Sequence, residues 1–144
     1  MADTVLVVED DPANALLVET ILRRLGGFEV IRSDDGDEIL EIVASRPISA
    51  ALMDVSLKNT RVSGDKVDGV ELTRRIRSLP GGSGLPVILL TAHAMKGDRE
   101  RLLFSSGAND YVAKPIADQH ELVSLVRQHI ATVQDLADNG MDDA

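Results

Sequence analysis

The stretch TVLVVEDDPAN, residues 4–14, decides the fold. Its apolar run, residues 5–8, reads as a buried strand. Three carboxylates follow side by side, Glu9, Asp10 and Asp11. Asp11-Pro12 then has the form of a helix start, an N-cap residue with proline in the first turn. A buried strand that passes through concentrated negative charge straight into a helix poses one question: what holds the acid there?

The same order recurs along the chain. Apolar runs lie at 5–8, 28–31, 50–53, 87–90 and 110–112, and amphipathic segments separate them. The first segment carries Leu17, Ile21 and Leu25 as its seam and stops at Gly26-Gly27. The second opens on Asp35 with Glu38 as a capping box and ends at Pro47. The third opens on Asp68 with Glu71 and stops before Pro80; the fourth spans 95–106 and is ended by Gly107. The fifth opens on Asp118 with Glu121, and its seam of Leu122, Leu125, Val126, His129 and Ile130 has the clearest helical period in the chain. Strict alternation of this kind predicts an α/β fold, a doubly wound five-stranded parallel sheet with five helices covering both faces.

With 144 residues, 44% of them hydrophobic, the chain is long enough for one packed domain. The domain is expected over 3–134, and the short acidic tail 135–144 reads as disordered. Nothing after the fifth helix is long enough for a second domain. A net charge of −9 argues against a nucleic-acid partner, because binding to a phosphate backbone rests on a basic surface. The lack of cysteine excludes disulfides, thiolate metal sites and thiol catalysis. No basic stretch precedes the first apolar run, which is too short to span a bilayer, so the expected compartment is the cytoplasm, with no membrane association.

Polar residues fall where such sheets bind ligands, at the C-terminal strand ends. The first strand ends in Glu9-Asp10, the third in Asp54, the fourth in Thr91 and the fifth in Lys114. If the first and third strands are neighbours, Glu9, Asp10 and Asp54 converge. Two unit charges about 4 Å apart repel by roughly 4 kcal/mol at an effective dielectric of about 20, so the cluster needs an offset. Mg2+ is the natural one, being an oxygen-loving cation held by one or two carboxylates plus a phosphate; Mn2+ is the alternative ion. Lys114 adds a mobile positive charge and Thr91 a hydroxyl. That set suits a phosphoryl group, with Asp54 as the nucleophile that accepts it as an acyl phosphate.

The segments VLVVEDD, LMDV, LLTA and DYVAKP, in this order at successive strand ends, resemble the receiver domain of bacterial two-component response regulators, of the stand-alone, single-domain type. The resemblance covers about residues 4–133. It implies a flavodoxin-like receiver fold with strand order 2-1-3-4-5. It implies Asp54 as phosphoacceptor, Asp10 as direct metal ligand, Glu9 acting through water, and the backbone carbonyl of Ser56 as a further metal ligand. Thr91 matches the switch hydroxyl, Lys114 the phosphate-binding lysine and Tyr111 the switch aromatic. Phosphate would come from a histidine kinase or a phosphotransfer protein. Output would pass through the face formed by the fourth helix, the fifth strand and the fifth helix.

The chain also departs from that pattern. Residues 56–67 form a longer loop than usual, and Lys58 stands where the family usually has proline. One reading is a surface insertion tolerated at little entropic cost. The other is a partner-recognition element at the rim of the site, carrying Lys58, Arg61 and Lys66. His93 lies two residues beyond Thr91, either tuning loss of the phosphoryl group or merely exposed. His129 is expected in the core.

Two further function classes stand beside the switch. A phosphorylation-independent adaptor would keep the fold, yet has no need of a repulsive acidic cluster. A phosphohydrolase using an aspartyl intermediate would want a second carboxylate two positions after Asp54, where this chain has Ser56.

Overall fold

The computed structural model describes residues 2–92 and 97–142, with side chains through Leu136. The main sheet is built from β1 (Thr4–Val8), β2 (Glu29–Ser33), β3 (Ala50–Asp54), β6 (Val87–Thr91) and β7 (Asp110–Ala113). Two short strands, β4 (Arg61–Val62) and β5 (Asp65–Lys66), pair separately as an antiparallel hairpin. The helices are α1 (Pro12–Gly26), α2 (Gly36–Ser45), α3 (Gly69–Arg77), α4 (Asp98–Ser106) and α5 (Gln119–Asp142).

All neighbours in the main sheet are parallel, in the order β2-β1-β3-β6-β7. Leaving the hairpin out of the count, this is the expected 2-1-3-4-5 arrangement. Strand residues alternate between two cores, as a period of two requires. Val5, Val7, Ala50, Leu52, Ile88 and Leu90 face α1 and α5. Leu6, Val8, Ala51, Met53, Val87 and Leu89 face α2, α3 and the hairpin. With both faces covered, the strands read as continuous apolar runs.

Helix starts follow the capping signals. Asp11, Asp35, Asp68 and Asp118 each accept a backbone N–H from the first helical turn. α1 ends at Gly27 in the left-handed region, at φ 67°. α4 is bracketed by Gly97 and Gly107, with no side-chain cap at its start. The expected start of this helix, like His93, lies outside the described residues.

Two expectations are corrected. The buried row of α1 is Ala15, Val18, Ile21 and Leu22, while Leu17 is 46% and Leu25 36% exposed. Four-residue spacing drifts around a helix of 3.6 residues per turn, so a seam read at strict intervals slides off the core face. Secondly, α5 continues to Asp142, so the stretch read as a disordered tail is helical backbone through that residue. No proline interrupts it, and each residue added to an existing helix gains a hydrogen bond. The long loop contains hairpin β4–β5, turning at Ser63 (φ 51°) and Gly64 (φ 87°). Positive φ at both turn positions is the geometry of a two-residue hairpin.

Candidate functional site

β1 and β3 are adjacent where the strand order reverses, and their C-terminal ends bring three acids together. Glu9, Asp10 and Asp54 each present a carboxylate oxygen within 4.8 Å of the others. Glu9 and Asp54 are buried, and Asp10 is half-exposed. The approach is tight on the far side of Asp54 too. A Cβ on Gly69 would lie 2.1 Å from the Asp54 carbonyl oxygen, so the start of α3 seats against β3 only with glycine there.

Lys114 reaches in from the end of β7. Its Nζ donates to Asp54 Oδ1 at 2.9 Å and lies 3.6 Å from Glu9 Oε2. Asp54 Oδ1 also accepts the backbone N–H of Ser56 at 3.1 Å. Ser56 itself is exposed, in the turn after β3. Thr91 is fully buried at the end of β6, and its carbonyl accepts the Lys114 N–H at 2.8 Å. Tyr111 is half-buried against the α2–α3 core, with the Arg99 guanidinium 5.9 Å from its ring centre. It belongs to the edge strand, away from the carboxylates.

Glu9 is held under electrostatic pressure. Its pKa is pushed up to about 7, first by burial, then by sharing a proton with Asp54 and by the Asp54 charge. The Lys114 charge and the Asn14 side-chain amide, 3.4 Å from Oε1, pull the other way. Glu9 Oε2 is buried and has no hydrogen-bond partner among the described residues. An unsatisfied buried carboxylate oxygen facing two more carboxylates fits an all-oxygen site for a hard divalent cation. A cavity of about 330 Å³ opens beside it, lined by Glu9, Asn14, Leu17, Leu90, Lys114 and Ile116. That cavity is where Leu17 goes instead of the core.

Several contributors carry no clear sequence signal. Backbone N–H groups of Lys58 and Asn59 donate to Asp10 Oδ2 at 2.6 and 3.0 Å. Asn14 carries no signal beyond being a polar residue in the first turn of α1. His129 is half-buried and not apolar in its company: its Nε2 lies 3.0 Å from Asp110 Oδ2.

A family model described as the response regulator receiver domain matches residues 5–127. The chain belongs to that family, the receivers of two-component phosphorelay systems. It is 36% identical over 121 residues to the sensor histidine kinase GacS of Pseudomonas protegens, covering 82% of this chain but 12% of the kinase. It thus spans about an eighth of the length of such kinases. It is 33% identical to the polar-differentiation response regulator DivK of Brucella ovis, over 81% of this chain and 88% of DivK. Among solved structures, it resembles the receiver domain of the sensor histidine kinase PA1611 of Pseudomonas aeruginosa, crystallised with a magnesium ion coordinated in the active-site cleft. That likeness has 36% identity and a TM-score of 0.76, and covers 91% of this chain and 99% of that domain. No helix among the described residues is long and apolar enough to cross a membrane.

Proposed function

We propose that the chain is a phosphorylation switch, accepting a phosphoryl group on Asp54 from a phosphohistidine of a kinase or phosphotransfer protein. The observation that carries this reading is the contact of Lys114 Nζ with Asp54 Oδ1 at 2.9 Å inside a cluster of three carboxylates. Glu9, Asp10 and Asp54 would hold Mg2+, together with the Ser56 carbonyl. When bound, the cation neutralises phosphoryl oxygens.

The chain's own residues do the rest. An Asp54 oxygen attacks phosphorus; the phosphorus–nitrogen bond breaks, and the departing imidazole keeps the electron pair and takes up a proton. Lys114 passes from the carboxylate to the phosphoryl oxygens, so one positive charge serves both states. Burial of Asp54 limits the approach of water, and hydrolysis returns the carboxylate and inorganic phosphate. Thr91 offers its hydroxyl to the new phosphoryl group. Tyr111 follows that movement on the α4–β7–α5 face, where an output protein would read it. Activity of this kind makes the chain a phosphoacceptor that assists its own chemistry, and no general acid is needed.

Intact mass after incubation with an acyl-phosphate donor tests this. One phosphate adduct is expected, dependent on Mg2+ and lost in Asp54→Asn. No adduct in the native chain, with Mg2+ shown to bind, would overturn the proposal.

A further inference from the structure

The loop 56–67 touches the acidic cluster through its backbone, and one of the two donors exists because residue 58 is not proline. The N–H groups of Lys58 and Asn59 both end on Asp10 Oδ2, at 2.6 and 3.0 Å. A proline at 58 has no N–H to give. From there the loop is tied down at successive points. Leu57, Val62 and Val67 are buried in the α2–α3 core. The Val67 N–H closes onto the Thr60 carbonyl at 3.0 Å. The Ser63 N–H donates to both oxygens of Asp37, in the first turn of α2, at 3.0 and 3.2 Å. Gly36 makes room for the hairpin, since a Cβ there would lie 2.3 Å from the Arg61 carbonyl oxygen. Residues 58–67 are therefore a strap running from Asp10 to the start of α2.

Asp10 is half-exposed and repelled by Glu9 and Asp54. Left alone, its carboxylate would swing toward water. Two charge-assisted N–H bonds to one oxygen hold it beside the like charges while leaving the remaining lone pairs for a cation. We propose that the Lys58 and Asn59 amides are positioning groups for a divalent cation at Glu9, Asp10 and Asp54, and that the strap consequently tightens when the cation binds. The inference rests on the cation site of the proposed function. Reciprocity supplies the second half: if a docked strap strengthens cation binding by some factor, the cation favours the docked strap by the same factor. The hairpin surface then reports the state of the site at a distance from it, without help from the α4–β7–α5 face.

The test needs no phosphodonor. Mg2+ affinity is measured by calorimetry for the full chain, Lys58→Pro and Asp37→Ala, with amide exchange at Val67 followed with and without Mg2+. Lys58→Pro is expected to weaken Mg2+ binding about tenfold, as loss of a ligand's outer partner does. Asp37→Ala, which loosens the strap at its far end, is expected to weaken it by a smaller factor. In the native chain Mg2+ slows exchange at Val67. Native Mg2+ binding with both variants unchanged, or Val67 exchange indifferent to Mg2+, overturns the strap and leaves the phosphoacceptor reading intact. Failure of the native chain to bind Mg2+ overturns both. If Lys58→Pro does not fold, unchanged affinity in Asp37→Ala is enough to overturn the inference.

Discussion

Glu9 sits in a cluster of like charge. It is buried beside Asp54, and its Oε2 has no hydrogen-bond partner among the described residues. Replacement by glutamine keeps the shape, removes a charge from a site of like charge, and supplies an N–H donor toward Asp54. Without a divalent cation, Glu9→Gln is expected to be more stable than the native chain by about 1 kcal/mol, a fraction of the full Coulomb repulsion because Lys114 already offsets part of it. With Mg2+ the order reverses: the native chain gains stability by mass action, and the variant gains less. Thermal unfolding of both proteins with and without Mg2+ checks this. An equal Mg2+ increment in the two would mean that Glu9 takes no part in holding the cation. Lys114→Ala is not the better test, since it removes a contact from both Glu9 and Asp54 at once.

The elements differ in how plainly they are written in the sequence, and the reasons are physical. Helix starts were legible because a capping aspartate is a local device, and Asp11, Asp35, Asp68 and Asp118 each cap the helix they precede. Strands β1, β3 and β6 were legible because burial on both faces leaves an unbroken apolar run. The grouping of Glu9, Asp10 and Asp54 followed once β1 and β3 were taken as neighbours. Hairpin β4–β5 was not legible: each strand has two residues, and its anchors Val62 and Val67 are too few to show a period. The amide donors to Asp10 leave no mark at all, because every residue but proline carries one. Edge strand β7 lies between these cases, since Asp110 opens it with a charge. Burial pushes the Asp110 carboxyl up, but hydrogen bonds from His129, Arg99 and the Tyr111 N–H outweigh that and hold it below the usual range. A carboxyl so depressed adds stability above its unfolded pKa and loses it as pH falls through the lower folded value. Asp110→Asn is therefore expected to cost about 1 kcal/mol at pH 7, the value of a hydrogen-bonded and partly exposed ion pair, and progressively less as the pH is lowered toward about 2. Urea unfolding at the two pH values checks it; a deficit that persists in acid would assign the loss to packing and not to charge.

At the scale of the whole molecule, two cores of similar size share one sheet, and the site sits at the end where strand order reverses. At the opposite end of the sheet, Ile130, Val133 and Gln134 of α5 line a cavity of about 410 Å³ with Ile48 and Leu85. Beyond Gln134 the helix continues, but Asp135 is exposed and Leu136 is 66% exposed. Exposed helix at a chain end is held mainly by propagation and adds little to global stability. Removal of residues 135–144 is expected to lower unfolding free energy by less than about 0.5 kcal/mol, the range of a change away from core and caps. It should leave Mg2+ affinity unchanged, because the cluster of Glu9, Asp10 and Asp54 lies at the other end of the sheet. Denaturant unfolding and calorimetry on chain 1–134 measure both. A loss above about 2 kcal/mol would place the last turns of α5 inside the cooperative unit, and a matching loss of Mg2+ affinity would show that α5 carries strain from one end of the sheet to the other.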